Sequence, residues 1–536
     1  YFFSAFMASK VKTLISKVPR PGSFRKKKER EKEGEEDATQ EEAVETPQRS
    51  ASGLLRSSST KKQEQLRRQE AAMARSDTSR KVELECLAVL ESAIDSDGDS
   101  DDGAEGNEAH GADGGSPTQQ WESQRTEGER RVFFVWKGGP LTLEGAVDVS
   151  VDGDKVVISP GTYEDIYVVC NKSIELCTGG KKKVALQNHN HPVITITGGR
   201  MKLDGININY TGREHGSVLC KGGWPQIRNC NINSTGAYGV QVEGGAKPYI
   251  FKNSITNRKG RGIVVSKACG LIDSNEVIAD RAGVYISGPA PADLIPQARP
   301  ASPAPAPAPA PEEASPEESS TEPSSSTADS PSAERSHEGI KGLEVLRNRI
   351  RDCKSEGAVT ITDGGDGVFE LNEVHSSTVG LFISNDANPT CLSNKIWRCN
   401  TGVLISDDGR GDLRNNEIYA NHGVALELIG NANPTISRNI VKENKKGGVL
   451  INGARGTFAN NEVLGNMLDG VTVLGSSHVA FTDNQVTDGK GVGLVVESGA
   501  EGVFTGNTIT SNAKGDLQNA SAIQFDNTNT IGNEST

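Results

Sequence analysis

Aromatic residues, long apolar runs and paired cysteines are all scarce in this sequence. Phe, Trp and Tyr make up only 5% of the 536 residues, and no stretch of about 18 apolar residues occurs, so we predict no transmembrane segment. The nine cysteines form no CxxC pair, which favours reduced thiols in a core. Glycine, by contrast, is abundant at 60 residues, which is typical of a chain with many tight turns rather than a helical core.

The net charge of −13 comes largely from acidic stretches near the N-terminus, such as residues 33–45 and 95–105. Such stretches are typical of solvated tails, and this charge argues against a nucleic-acid partner. Residues 1–6 are apolar but shorter than the core of a signal peptide, and a basic segment follows them instead of preceding them. We therefore expect a cytoplasmic protein.

Residues 1–130 form a charged arm with few large apolar side chains. Such a composition cannot bury enough surface to offset the entropy of ordering, so we predict that the arm is disordered. Within it, residues 81–97 have apolar positions near helical spacing and could form a short helix. The basic segment at residues 10–32 could bind an acidic surface or could only confer solubility.

A repeat begins near Asn207, in which an asparagine is followed two positions later by Ile or Val. Its ten asparagines are Asn253, Asn275, Asn348, Asn372, Asn394, Asn416, Asn439, Asn461, Asn484 and Asn507. Successive units are 22 to 24 residues long, with one exception of 73 residues. That exception contains the Ala-Pro and Ser-Glu tract of residues 288–338, which we predict to be a disordered insertion in one unit.

A second column follows the Ile or Val anchors by five to seven residues and consists of glycine before a β-branched or aliphatic residue. Its members are Gly239, Gly262, Gly283, Gly357, Gly380, Gly402, Gly423, Gly448, Gly470 and Gly493. With a third apolar segment before the asparagine, each unit holds three short strands and no helix. A leucine-rich repeat has a similar period but requires a leucine consensus and a helical return, so it is disfavoured.

These features predict an all-β chain folded as a right-handed parallel β-helix with three strands per rung and about 14 or 15 rungs. The coil would comprise residues 131–287, with an N-terminal cap at its start, and residues 339–517, with residues 518–536 as a C-terminal cap or tail. The Ile and Val anchors would stack inside the coil. The asparagines would form a hydrogen-bonded structural ladder at a tight turn, in the left-handed conformation, and the ladder would stop at Cys230. The glycines would occupy a bend that needs a positive φ or a close backbone approach.

Two segments carry a family resemblance. Residues 152–164 (DGDKVVISPGTYE) resemble the opening motif of right-handed β-helix domains in the carbohydrate-binding and sugar-hydrolase superfamily. The rung at residues 430–439 (GNANPTISRN) is similar to rungs of the β-helix in F-box-only ubiquitin-ligase receptors and in the SHC SH2-domain-binding protein family. The resemblance covers roughly residues 150–515 and implies a β-helix that binds proteins.

Candidate catalytic groups are few. Asp363, Asp386, Asp407 and Asp408 recur ahead of three successive anchors and could stack as an acidic ladder that binds calcium or supplies an acid and a base. The same positions hold Asn, Gly and Ser in later rungs, so a turn that needs these residues for backbone reasons is the stronger interpretation. His189 and His191 could share a metal only with a third ligand.

From these observations we expect a non-enzymatic scaffold without a cofactor, whose rigid faces bind other proteins. Cytoskeletal or axonemal proteins, in a cilium, are the first candidates as partners. The first alternative is a substrate-recognition adaptor of a ubiquitin ligase. The second is a carbohydrate-active lyase, hydrolase or epimerase that would use Asp363, Asp386 and Asp408.

Overall fold

A computed structural model describes residues 130–180, 183–289, 342–523 and 525–533. These residues form a parallel β-helix in which each rung contributes one strand to each of three parallel sheets of 15, 14 and 15 strands. The predicted fold class is therefore confirmed. The possible helix at residues 81–97, the basic segment at residues 10–32 and residues 290–338 of the predicted insertion lie outside the described residues.

Along a rung the chain passes through sheet A, then sheet B, then sheet C. Sheet A holds the strands that precede the asparagine: Val132–Val135, Lys155–Ile158, Glu175–Thr178, Lys202–Asp204, Gln226–Arg228, Tyr249–Phe251, Gly270–Asp273, Leu343–Leu346, Val368–Glu370, Thr390–Leu392, Asp412–Arg414, Thr435–Ser437, Arg455–Ala459, His478–Thr482 and Glu501–Thr505.

Sheet B holds the strands that follow the asparagine: Gly161–Tyr163, Val184–Asn188, Asn207–Tyr210, Asn231–Ser234, Ser254–Asn257, Glu276–Ala279, Arg349–Arg351, Glu373–His375, Lys395–Trp397, Glu417–Tyr419, Ile440–Lys442, Glu462–Leu464, Gln485–Thr487, Thr508–Thr510 and Thr530–Ile531.

Sheet C holds the strands near the glycine column: Val168–Cys170, Ile194–Ile196, Gly216–Cys220, Tyr238–Val242, Arg261–Ser266, Val284–Ser287, Gly357–Thr362, Val379–Ile383, Thr401–Ile405, Leu426–Ile429, Val449–Asn452, Val471–Leu474, Leu494–Val496 and Leu517–Asn519.

The repeated Ile and Val anchors stack in register inside the coil. Ile396 pairs with Ile418 and Ile418 with Val441 on neighbouring strands, and each side chain is at most 2% exposed. The unit of 73 residues closes in the same way, because Val277 pairs directly with Ile350 on the next strand of sheet B. The long unit therefore occupies one rung of the coil.

Both ends of the described coil are covered. At the N-terminal end, the helix Leu143–Val149 begins after Thr142, whose side chain accepts from the backbone N–H of Gly145, and it buries Leu143, Ala146 and Val147. At the C-terminal end, the ring of Phe525 lies 5.0 Å from that of Phe504, centroid to centroid. These contacts cover the apolar interior where no further rung follows.

The predicted asparagines form an unbroken ladder. Each Oδ1 accepts both the backbone N–H and the Nδ2–H of the asparagine one rung earlier, at 2.8–3.1 Å, from Asn253 through Asn507 and on to Asn529. At the first step, the backbone N–H of Cys230 donates to Asn253. The left-handed conformation belongs to the residue before the asparagine, as at Lys252 with φ 52° and Asn415 with φ 56°. Our assignment of that conformation to the ladder asparagines was wrong.

The glycine column marks a close approach of the backbone rather than a positive φ. A Cβ on Gly380 would lie 2.5 Å from the carbonyl oxygen of Gly402 and 2.5 Å from Ile396 Cγ2. In two rungs the registered position is occupied by Ala358 and Ala425 instead of the predicted Gly357 and Gly423. A small residue is therefore required at this bend, and glycine is its usual form.

Candidate functional site

The turns that lead from sheet C into sheet A form one edge of the coil, which we call the CA corner. Two successive residues of the turn commonly have positive φ, as at Asp407 with φ 49° and Asp408 with φ 62°. Asp, Asn and Gly tolerate this conformation best. The backbone of the turn therefore explains why these residue types recur at the corner.

Two adjoining cavities of about 380 Å³ and about 420 Å³ lie along this corner and share Arg455. We call them together the CA groove, which is lined by Asp408, Arg410, Asn431, Asn433, Arg455, Ser476, His478, Gly499 and Glu501. Arg455 pairs with His478, and His478 with Glu501, on neighbouring strands of sheet A. The groove thus runs across the rungs, parallel to the axis of the coil.

One ion pair and one histidine–carboxylate contact lie at the groove. Arg410 Nη2 lies 2.9 Å from Asp386 Oδ1, and His478 Nδ1 lies 3.3 Å from Glu501 Oε2. All four side chains are more than half exposed, so a ligand could reach them. Exposed pairs of this kind contribute little to folding, which leaves them able to exchange partners with a charged ligand.

Of the four predicted aspartates, the structure brings one directly to the groove. Asp408 lines it, and Asp386 reaches it through the ion pair with Arg410. Asp407 accepts a hydrogen bond from Ser406 and Asp363 accepts from Asn385 Nδ2, at 3.0 Å and 3.1 Å. These latter two side chains bond within the turns of the CA corner.

The predictions missed Arg410, Arg455, His478 and Glu501. Their signal was a shared register, because each lies two residues before one of the sheet A residues Asp412, Thr457, Ala480 and Val503, which share one register position. Reading that column along the rungs would have given Arg410, Asn433, Arg455, His478 and Glu501 in order. The recurring aspartates were identified from the sequence, whereas this second column, which includes Arg410 and Arg455, was not.

In the part of the chain that the structure describes, no metal centre is supported, and buried Cys220 is not a candidate nucleophile. No group of three His, Cys, Asp or Glu side chains there could hold a metal ion. His189 Nδ1 instead lies 3.3 Å from Thr211 Oγ1, and the ring of His191 contacts that of Tyr167 at 4.9 Å, tilted by 35°. Burial raises the pKa of Cys220 to about 12, so this thiol is not a nucleophile at neutral pH.

The arrangement suits an anionic ligand and a proton transfer. Arginine binds carboxylates through a planar, bidentate fork. A histidine that donates Nδ1–H to a carboxylate keeps a lone pair on Nε2 and can act as a base.

Among the described residues, no helix is long and apolar enough to cross a membrane.

Comparison with known protein families identifies the fold. Residues 173–290, 336–476 and 380–533 match the model of a family described as right handed beta helix region. None of the curated protein sequences is significantly similar to the chain. The likeness to ubiquitin-ligase receptors and to the SHC SH2-domain-binding proteins therefore stays a prediction.

Several solved structures share the fold at low identity. The periplasmic alginate epimerase AlgG is 11% identical with a TM-score of 0.29, and the match covers 75% of this chain and 83% of that one. The A-module of mannuronan C-5 epimerase AlgE4 from Azotobacter vinelandii is 11% identical with a TM-score of 0.34, over 73% and 93% of the two chains. A Family 28 exopolygalacturonase from Yersinia enterocolitica is 9% identical with a TM-score of 0.33, over 76% and 79%.

These matches correct our expectation that the chain is not an enzyme, because the similar structures are epimerases and an exopolygalacturonase. The likeness itself concerns the fold alone, so an activity has to be argued from this chain's own residues. The cytoskeletal or ciliary partners and the cytoplasmic location remain predictions, since neither the described residues nor the similar proteins bear on them.

Proposed function

The chain belongs to the right-handed β-helix family, and on that premise we propose that it is carbohydrate-active, with the CA groove holding an acidic polysaccharide along the rungs. In a stacked coil, one register position recurs at every rung, about 4.8 Å apart. A linear polymer of similar units therefore meets similar side chains at regular intervals. Such a surface suits a repeating ligand better than a compact one.

The observation that carries the proposal is the pair of arginines on the groove. Arg410 and Arg455 occupy the same register position two rungs apart, with Asn433 between them. Two rungs span about 9.6 Å, close to the length of an extended disaccharide unit. Each guanidinium can therefore bind the carboxylate of alternate uronate sugars while the asparagine bonds a hydroxyl.

The chemistry that fits best is removal of the proton next to a sugar carboxylate. An arginine that neutralises the carboxylate makes the adjacent carbon more acidic, and His478, held by Glu501 at 3.3 Å, takes the proton through Nε2. Return of a proton on the opposite face gives an epimer. Loss of the neighbouring sugar oxygen, which leaves with a proton, gives an unsaturated product.

Hydrolysis by paired carboxylates fits less well. Glycoside hydrolases place two carboxyl groups roughly 5–9.5 Å apart. In the groove Asp408, on a turn, and Glu501, at the start of a sheet A strand, lie four rungs apart, which is about 19 Å along the axis. Asp386 is nearer to Asp408 but is paired with Arg410. We therefore favour proton abstraction over hydrolysis for the groove.

The test uses Arg455→Ala in the full chain, with mannuronan and polygalacturonate oligosaccharides as probes. We expect affinity measured by calorimetry to fall about tenfold or more, because a charge-assisted hydrogen bond contributes roughly 1.5–3 kcal/mol. Turnover, followed by ultraviolet absorbance of the new double bond and by proton exchange in NMR, should be lost in His478→Ala. Arg349→Ala, which removes an exposed arginine from sheet B, serves as the matched control.

Binding that is equal in the wild type, Arg455→Ala and Arg349→Ala would show that the groove is not the site. If no acidic oligosaccharide binds the wild type, the proposal is wrong. Binding without turnover would reduce the function to carbohydrate recognition, and His478→Ala would then leave affinity nearly unchanged.

A further inference from the structure

A second cluster of cationic and aromatic side chains lies in the N-terminal rungs, from the CA corner across the outer face of sheet A to Lys252 at the corner between sheets A and B. We call it the tryptophan clamp, and its members are Arg200, Trp224, Lys247, Tyr249, Phe251 and Lys252. The guanidinium carbon of Arg200 lies 5.6 Å from the ring centroid of Trp224, and Lys247 Nζ lies 5.1 Å from it. One indole ring thus contacts two cations.

The ring restricts where the two cationic groups can lie. Cation–π contacts of this length hold a long side chain in place on the ring. A side chain that is already positioned loses less entropy when it binds a ligand. Arg200 and Lys247 are therefore partly preorganised for an anion, with Trp224 as the residue that positions them.

A second aromatic contact extends the cluster onto sheet A. The rings of Tyr249 and Phe251 stack at 5.2 Å with an interplanar angle of 22°, and Lys252 Nζ lies 4.7 Å from the centroid of Phe251. All three rings of the cluster are only partly buried. The cluster therefore presents positive charge and apolar ring edges together on the solvent side.

The register connects this cluster to the CA groove. Arg200, Trp224 and Lys247 lie two residues before Lys202, Gln226 and Tyr249, which pair on successive strands of sheet A. Arg410, Asn433 and Arg455 lie two residues before Asp412, Thr435 and Thr457, which pair in the same way. Both sites thus place two cations two rungs apart at one register position.

The two sites are aligned along the same edge. Nine successive strand pairings separate the rung of Arg200 from the rung of Arg455, which corresponds to about 43 Å. We infer that the tryptophan clamp is a second, non-catalytic binding site for the acidic polysaccharide that the CA groove holds. This inference rests on the proposed function of the groove.

Two linked sites make binding depend on the length of the ligand. Once one site is occupied, the second binding step becomes intramolecular and the effective local concentration is high. A chain too short to leave the groove gains nothing from the clamp. A chain that spans nine rungs gains affinity without any change at the groove.

The experiment compares a galacturonate trisaccharide with a polygalacturonate long enough to span both sites, on the full chain. We expect the wild type to bind the long chain at least about tenfold more tightly than the trisaccharide. Arg200→Ala/Lys247→Ala should lose that advantage and keep the trisaccharide affinity. Arg349→Ala/Lys395→Ala removes two exposed cations from sheet B and should keep both. Trp224→Phe, which retains a ring between the cations, should retain most of the advantage.

Each of the other outcomes contradicts either the clamp proposal alone or both proposals. If the clamp variant keeps the length advantage, or if the wild type binds both ligands equally, the second site is wrong and the groove proposal stands. If neither ligand binds the wild type, both proposals fail together. If a single-stranded DNA of equal charge displaces the long chain as readily as polygalacturonate does, the clamp is not a carbohydrate site.

Discussion

The corner between sheets A and B is built differently in the first rungs and in the rest of the coil. In the first rungs the corner position is filled by Val184, Ile206 and Cys230, each at most 2% exposed. From the next rung onward it is filled by Asn253 and the asparagines that follow. The backbone continues through the change without a break in strand register.

The apolar corner and the asparagine corner stabilise the same bend by different forces. Burial of Val184 and Ile206 is favourable but non-directional, so it depends mainly on apolar area removed from water. Each asparagine instead joins two rungs through hydrogen bonds that fit only one register. The amide corner therefore specifies the stacking of rungs, whereas the apolar corner relies on the columns inside the coil.

The largest expected effect in this comparison is the loss of one ladder amide. Asn416 accepts from the backbone N–H and Nδ2 of Asn394 and donates to the carbonyl of Cys391 and to Asn439. Asn416→Ala leaves buried donors of Asn394 without a partner, which costs about 1–3 kcal/mol for each group. We expect urea denaturation to show a loss on the order of 3–5 kcal/mol.

Ile206→Val is the matched substitution in the apolar corner. It removes one methylene and should cost roughly 0.5–1.5 kcal/mol. Equal losses in Asn416→Ala and Ile206→Val would mean that the ladder has no special role and that the two corners are equivalent.

Repetition made most of the fold predictable. The column of Ile396, Ile418 and Val441 and the 73-residue unit both follow from counting, because a stacked coil turns sequence period into spatial register. The ladder followed from the same count, but its backbone conformation did not. The left-handed residue is the one before each asparagine, where the sequence holds Lys252, Ser274 or Arg347, so no residue preference marks it.

The candidate site was harder to predict, for a physical reason. Asp363, Asp386, Asp407 and Asp408 share a turn conformation, so their recurrence reports backbone geometry as well as chemistry. Arg410, Arg455 and His478 belong to two residue types and recur irregularly, and only their alignment in the register of sheet A brings them together. A second ladder, through Asn421, Asn444 and Asn466, was missed because it occupies three rungs only.

A smaller effect is expected at the bend next to sheet C, where glycine and alanine occupy the same position in different rungs. Gly380 occupies a position that Ala358 and Ala425 occupy in other rungs, although a Cβ there would lie 2.5 Å from a backbone oxygen. Gly380→Ala should therefore cost about 1–3 kcal/mol in thermal or chemical denaturation, since overpacking forces a local shift. Ala425→Gly should cost less, about 1 kcal/mol. A neutral Gly380→Ala would show that the bend adjusts to alanine anywhere and that the glycine column is not a steric requirement.

The smallest effect is expected where the two kinds of corner meet. Cys230 already donates its backbone N–H to Asn253 at 2.9 Å and is buried. In Cys230→Asn the new amide nitrogen would donate to Oδ1 of Asn253 and to the carbonyl of Leu203. These groups are equivalent to Asn275 Oδ1 and the Ile227 carbonyl, which accept from the amide of Asn253 one rung later. We expect a stabilisation of at most about 1 kcal/mol in urea denaturation, because a new hydrogen-bond set offsets the loss of a buried thiol. A destabilisation of about 2 kcal/mol or more would contradict this expectation. It would mean that the backbone of the apolar corner does not accommodate an asparagine. The two kinds of corner would then differ in backbone shape as well as in side-chain chemistry.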